Sequence, residues 1–457
     1  MTEMNSMSPD VVVIGAGVAG LNAAVELSRR GARVSVLEAK AVLGGRATAF
    51  DDPQTGERVD NGQHVLLGCY RETFRLLDAI GTADRVRLQT SLDVEFVDRA
   101  GVRSRLRCPP LPAPFNLLGG LFEWDALDWR DRMAALKMAR PIRIVQKEIE
   151  ARSKGLRATL QAASAGETVE QWLIHNGQTA RLREMLWEPL ALAALNQSVR
   201  EAAAPPFARV LGEMFGGDSN DAALGLPLCP LDELYADPAR RYIEARRGDV
   251  RIGSPAKVFL EGDRVGHVET RGARVRAGAT IVAVPWYALA DIFTGDTGAV
   301  ESLQRAAAAT RPSPIASVNL WLDRRVLRTP FLGLPGRTLQ WVFDKQQMFE
   351  DTHTSHVTMV SSGAELVMGL SNEELTEIAL RELREALPEA RLARVDRATV
   401  VRERRATFSL APGQPPRPGV RTGVDRLFLA GDWIDTGLPA TIEGAASSGR
   451  LAAEAVS

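Results

Sequence analysis

The sequence predicts an α/β protein in which a Rossmann-like dinucleotide-binding domain is interrupted by a discontinuous α+β domain. Three observations carry this expectation. Val11-Val12-Val13-Ile14 is an unbroken β-branched and apolar run, the pattern of a strand buried on both faces. Gly15, Gly17 and Gly20 follow with G-x-G-x-x-G spacing, and a helical pattern opens at once, over residues 18–30. Buried-type strands return far along the chain, at 280–285 and 426–430, so the first domain is assembled from distant segments.

Composition bounds the function. The chain has 457 residues, enough for two or three domains and a large core. A formal net charge of −1 excludes broad electrostatic capture of nucleic acid. Cys69, Cys108 and Cys229 are odd in number and widely spaced, so neither a disulfide framework nor a metal site is expected. Residues 1–10 hold no basic segment followed by an apolar run, and no apolar stretch reaches the roughly 18–20 residues that span a bilayer. The expected location is the cytoplasm, either in solution or peripherally on the inner face of the membrane.

In the first turn, Gly15 allows the tight bend, Gly17 lets a pyrophosphate approach the backbone, and Gly20 lets helix and strand pack closely. The N–H groups at the helix start, at Val18 and Ala19, would hold the diphosphate. A second strand, 32–37, ends at Glu38 and Ala39, where a carboxylate would accept hydrogen bonds from the adenosine ribose. Gly44-Gly45-Arg46 follows, with an arginine suited to a diphosphate by its forked donors. Short polar residues then cluster around Gly62, in Val59-Asp60-Asn61-Gly62-Gln63-His64, before a helix over 70–80.

Residues 109–145 change character. An apolar, proline-rich stretch with Trp124 and Trp129 runs into a helical pattern bearing Arg132, Lys137, Arg140 and Arg143. This suits a monotopic membrane contact, and equally an ordinary core helix after a loop. Residues 168–215 read as helical, with Thr168 and Gln171 at capping-box spacing. Within them Trp187 to Asn196 is either plain core or the wall of an apolar substrate tunnel. Near 242 the pattern returns to short strands, including 248–252, one beginning at Pro255-Ala256, and 280–285. Period-2 runs at 316–322, 338–343 and 356–361 predict antiparallel strands of the second domain, and 372–387 predicts a helix. His353 and His356 are expected in a polar, exposed loop and strand. Strand 426–430 leads into Gly431-Asp432, and the last helix opens near Ile442, Gly444 and Ala445.

Glu38-x5-Gly44-Gly45-Arg46, together with Gly431-Asp432 and the small-residue helix start, resembles the FAD-binding ends of the flavin amine oxidase and phytoene desaturase superfamily. The resemblance implies a GR2-type FAD domain from residues 1–85, 242–290 and 405–457, and a substrate domain from 86–241 and 291–404. It implies that Arg46 lies along the FAD diphosphate and that Ala256 offers the adenine backbone hydrogen bonds. It further implies that Asp432 accepts from the ribityl or diphosphate region, and that the N–H groups of Gly444 and Ala445 face the flavin.

The Asp-Asn-Gly-Gln-His run and Trp187-Glu188-Pro189-Leu190 narrow the likeness, over essentially the whole chain, to bacterial hydroxysqualene dehydroxylases. That implies FAD-dependent replacement of an allylic hydroxyl by hydride on a hydrophobic C30 isoprenoid, within squalene and hopanoid synthesis. Enzymes of that pathway and a membrane surface are the implied partners. Departure of an allylic hydroxyl needs a proton donor. His64 is the first candidate for it, Glu188 in its apolar run the second, and Asn61 and Gln63 would orient the ring or the hydroxyl. Glu188 serves equally as a cap or as a partner for Arg183. The other readings are a carotenoid-type desaturase, an amine oxidase, and an FAD-bound membrane scaffold without activity. There is no second dinucleotide fingerprint, so the electron donor for the flavin is not legible.

Overall fold

A computed structural model describes residues 8–154, 161–349 and 355–456. His353 and most of the N-terminal segment read above, residues 1–7, lie outside the described residues. The first sheet has five strands, all parallel, in the order Asp249–Arg251, Val34–Leu37, Val11–Ile14, Ala279–Val282 and Leu427–Leu429. Every residue of Val11–Ile14 is buried, because helices cover both faces of a parallel sheet. The chain leaves Val11–Ile14 for one neighbour and returns much later to the other. The carboxyl end of this strand is therefore a topological switch point, where such sheets bind ligands.

The first helix, Val18–Arg29, packs against the last, Ile442–Val456. Their approach is close enough that a Cβ on Gly449 would lie 2.3 Å from the carbonyl oxygen of Ala19. Asn22 Nδ2 donates to the Ala446 carbonyl at 2.6 Å across the same seam.

A seven-stranded sheet runs in the order Val395–Phe408, Pro312–Leu322, Ser355–Ser362, Trp341–Asp344, Phe331–Gly333, Asp93–Val97 and Arg103–Arg107. It is antiparallel except where Phe331–Gly333 meets Asp93–Val97. The expected run at 338–343 begins as a strand only at Trp341. Thr338 and Leu339 instead give their N–H groups to the two carboxylate oxygens of Glu382, at 2.9 and 3.0 Å. The capping box at Thr168 and Gln171 is formed, at 3.0 and 3.3 Å. It starts the helical part that includes Val169–His175, Glu188–Leu195 and Ala204–Met214.

The exposed placement expected for His356 is corrected. Its strand is central in the sheet, and the imidazole is fully buried, stacked on Trp321 at 4.2 Å. Its Nε2–H donates to Asn319 Oδ1 at 3.1 Å. Burial, aided by the nearby Lys345 charge, pushes its pKa down to about 3. The unfolded chain binds a proton here below about pH 6.5 while the native state does not. Stability is therefore present at neutral pH and is lost as pH falls from about 6.5 towards 3. Denaturant unfolding across pH 6 to 4 should show His356 contributing about 1.4 kcal/mol per pH unit. His356→Phe should remove that part of the slope.

Candidate active site

One cavity of about 1330 Å³ extends from the carboxyl ends of the parallel strands into the second sheet and its helices. That exceeds the ~300–1,000 Å³ of ordinary ligand sites, as a cavity shared by a dinucleotide and a substrate should. Its first part is the switch point. Gly15, Gly17, Val18, Ala19, Glu38 and Ala39 line it as expected, as do Gly44, Gly45 and Ala256.

The cradle fits a diphosphate. The first helix begins with Gly17 as N-cap, no side chain caps it, and its first turn holds no acid. Its free N–H groups and dipole are open to an anion. A Cβ on Gly17 would meet nothing nearer than Gly45 Cα, at 4.0 Å. The protein itself does not require glycine there; the space in front of it does. Gly20 is different and does not line the cavity. A Cβ there would sit 2.0 Å from the Gly15 carbonyl oxygen, so Gly20 serves helix–strand packing, as read from sequence.

Glu38 is buried, with Oε2 accepting from the Ala16 N–H and Oε1 from the Lys40 N–H, each at 2.8 Å. It shapes the turn and also lines the cavity. Glu38→Ala removes charge-assisted hydrogen bonds worth ~1.5–3 kcal/mol. Reconstitution of apoprotein should show FAD affinity roughly 10–100-fold weaker. Tyr235 is a residue the sequence reading missed. Its hydroxyl donates to the carbonyls of Gly44 and Ala47, at 2.6 and 2.9 Å, and pins the paired glycines. A lone tyrosine in a helical stretch carries no local signal for this role.

Arg46 and Asp432 both line the cavity, as expected, and are paired with each other. Arg46 also donates to the Ala406 carbonyl at 2.9 Å and lies over the Trp286 ring, 5.4 Å from its centroid. Gly431 stands beside them with φ +147°, and a Cβ there would lie 2.8 Å from the Trp433 ring.

At the last helix, Ile442 and Ala445 line the cavity and Gly444 does not. The Gly444 N–H is taken by Thr441 Oγ1 and the Ala445 N–H by the Thr441 carbonyl, each at 3.0 Å. The expectation that these two groups face the flavin is therefore corrected. Thr441 caps the start of this helix. Gly444 is required for packing, since a Cβ would lie 2.8 Å from the Pro439 carbonyl oxygen.

Asn61, Gly62, Gln63 and His64 form the wall between the dinucleotide end and the apolar end. Asn61 is a strut rather than a catalytic group. Its Nδ2 donates to the Arg46 carbonyl and its Oδ1 accepts from the Thr48 N–H at 3.3 Å. Gln63 Nε2 donates to the His64 carbonyl at 3.1 Å and Oε1 accepts from Lys345, so its amide is also committed. His64 Nδ1–H donates to the Gly62 carbonyl at 2.8 Å. Burial pushes the imidazole pKa below its usual value, against the pull of Asp60. Burial thus disfavours the charged imidazolium, which weighs against the acid role expected from sequence.

Glu188 is corrected outright, for it does not line the cavity. Burial does raise its pKa, as its apolar run suggested, but the charges acting on it are those of Arg200, Glu170 and Glu201. Its neighbours Leu186, Trp187, Pro189 and Leu190 do line the cavity, so this stretch is the tunnel wall. The helical period explains the split: alternate faces of one helix turn towards the cavity and away from it.

The apolar end is lined by Val94, Phe96, Leu106, Phe331 and Trp341 from the seven-stranded sheet and by Leu92, just before its strand Asp93–Val97. Leu117, Leu118 and Leu121 of the helix Phe115–Glu123 close it, with Leu136 and Ile142 from the two helices that follow, Trp129–Leu136 and Ala139–Ser153. Among the described residues no group of three or more His, Cys, Asp or Glu is placed to hold a metal.

A dinucleotide cradle at the switch point, opening into a long apolar chamber, defines an FAD-dependent oxidoreductase. The chain belongs to the family of flavin-containing amine oxidoreductases, whose model matches residues 18–457. It is 30% identical over 465 residues to a hydroxysqualene dehydroxylase of Rhodopseudomonas palustris, covering 98% of this chain and 99% of that one. It is 29% identical over 464 residues to a hydroxysqualene dehydroxylase of Sinorhizobium fredii, covering 98% of each. Its fold matches that of an oxidoreductase from Methanosarcina mazei with a TM-score of 0.74, at 19% identity, over 97% of this chain and 99% of that one. The protein is a flavoenzyme.

Proposed function

We propose that this enzyme converts hydroxysqualene to squalene, a step that would feed hopanoid synthesis. The observation that supports it best is that the dinucleotide cradle and a chamber walled by Leu, Phe and Trp side chains are one continuous cavity. In the reaction the allylic carbon–oxygen bond breaks, the hydroxyl takes up a proton and leaves as water, and a carbon–hydrogen bond forms. The hydride and the proton together correspond to the two hydrogens of fully reduced FAD, so that alcohol and FADH2 give hydrocarbon, water and FAD. Reduced FAD, when bound, supplies the hydride. The apolar walls exclude water that would otherwise capture an allylic cation. His64 Nε2 accepts a hydrogen bond from the substrate hydroxyl and so orients the carbon–oxygen bond. The chamber takes the hydrocarbon tail, with Leu117, Leu118 and Leu121 at its far end. The test is an anaerobic single turnover: reduced holoenzyme mixed with hydroxysqualene should yield one squalene per flavin oxidised. Flavin reoxidation without squalene overturns the reading.

The substrate is insoluble, and the same helices support a route for it. Leu111, Phe115, Trp129 and Met133 are exposed, with Phe115 and Trp129 each more than 60% accessible. The Trp129 ring meets Phe122 at 6.0 Å, joining the two helices into one apolar patch. Exposed Arg130, Arg140 and Arg143 flank it. We propose that this patch rests on an anionic bilayer, with the apolar side chains in the acyl boundary and the arginines at the headgroups. No helix of the described residues is long and apolar enough to cross a membrane, so the contact is peripheral. Flotation with phosphatidylglycerol vesicles should carry the wild type and not Phe115→Ser/Trp129→Ser. Equal flotation of both overturns the assignment.

A further inference from the structure

Lys345 is 1% exposed, and lysine is almost never fully buried unless paired. It lies in a short helix, Lys345–Met348, directly after the strand Trp341–Asp344 of the seven-stranded sheet. Its ammonium meets Asp60 Oδ2 at 3.0 Å, also buried, and donates to Gln63 Oε1. The Phe349 ring covers it, 4.5 Å from nitrogen to centroid. Asp60 Oδ1 in turn accepts from the Leu231 N–H at 3.3 Å. Lys345 does not line the cavity, whereas Gln63 and His64 do. A buried charge thus grips, from behind, the loop whose front forms the wall at the reacting end. Burying such a pair is expensive and brings little net stability, so what it does for the loop is the informative question.

We infer that Lys345 is a positioning residue. Held by Asp60, it fixes Gln63 and thereby sets the 61–64 loop, with His64, at the junction of the dinucleotide cradle and the apolar chamber. The geometry supports this in two ways. Among the described residues the Gln63 side chain bonds to Lys345 on one side and to the His64 carbonyl on the other, so the amide links lysine to loop. Asn61 and Gly62 tie the same loop to Arg46 and to the His64 ring, so a shift at Gln63 moves groups facing both ends of the cavity. This inference rests on the proposed dehydroxylation only for the identity of the substrate.

The test uses holoenzyme carrying Asp60→Asn/Lys345→Met, which removes both charges together, and Gln63→Met, which leaves the ion pair and breaks only its link to the loop. Two readouts are taken: visible circular dichroism of bound FAD, which needs no substrate, and kcat against KM with hydroxysqualene. Both variants should bind FAD and show altered flavin dichroism. Both should lose about 10²-fold in kcat, the scale of a 1 Å misplacement, at unchanged KM, because the chamber for the tail is intact. Wild-type dichroism and kcat in Gln63→Met overturn the inference, even where the double variant does not fold. A rise in KM with kcat unchanged also overturns it. If hydroxysqualene is not a substrate of the wild type, the proposed function fails, and the dichroism alone decides the role of Lys345.

Discussion

Lys345→Met, made alone, should destabilise the protein by about 3–5 kcal/mol. The reason is the partner left behind. Asp60 is 4% exposed, and its Oδ2 would lose the ammonium 3.0 Å away. Removing both charges is expected to be far milder, since replacing a whole buried pair by neutral groups of similar volume is often neutral or stabilising. The measurement is a double-mutant cycle by denaturant unfolding of Lys345→Met, Asp60→Asn and the double variant. A coupling of several kcal/mol is the expected result. Additive effects would mean that the two groups do not interact as the geometry requires.

Gly17→Val should abolish practical FAD binding while leaving the apoprotein folded. A Cβ on Gly17 meets nothing nearer than Gly45 Cα, at 4.0 Å, so the fold has room for a β-carbon there. The diphosphate leaves no such room, because it must reach the N–H groups of a helix that carries no cap of its own. Affinity should fall on the order of 10²-fold or more, about 2.7 kcal/mol. Far-ultraviolet dichroism and the unfolding midpoint of the apoprotein should stay at wild-type values. Gly20→Ala is the contrasting case. Its Cβ would fall 2.0 Å from the Gly15 carbonyl oxygen, a backbone atom that cannot move aside, so folding itself should suffer.

The dinucleotide end was legible because its signals are local. A β-branched run, three glycines at set spacing and an acid closing the next strand each act within a few residues of themselves. Even here one glycine reading needed correction. Gly444 looks like Gly17 in sequence, yet its N–H belongs to Thr441 and its missing Cβ serves the Pro439 carbonyl. Glycine marks close approach; it does not say whether the approaching group is protein or cofactor.

The catalytic candidates fared otherwise. Asn61, Gln63, His64 and Glu188 were chosen by residue type and neighbourhood, and three of the four do line the cavity. What each does there depends on partners far away in the chain. Gln63 answers to a lysine 282 residues on, and Asp60 to the same lysine. Burial lowers the pKa of His64, and Glu188 is set aside because it does not line the chamber.

By itself, then, the sequence determined the fold class, the position of the cofactor cradle and the apolar runs from which a chamber could be built. All three follow from residue periodicity and short-range steric rules, which hold wherever the segment ends up. Only the tertiary structure decided that Arg46 pairs with Asp432, that the His64 Nδ1–H is given to the Gly62 carbonyl, and that a buried lysine bonds to Gln63 of the same loop. Charge and protonation depend on the electrostatic surroundings of an atom. Those surroundings are made by residues that only folding brings together.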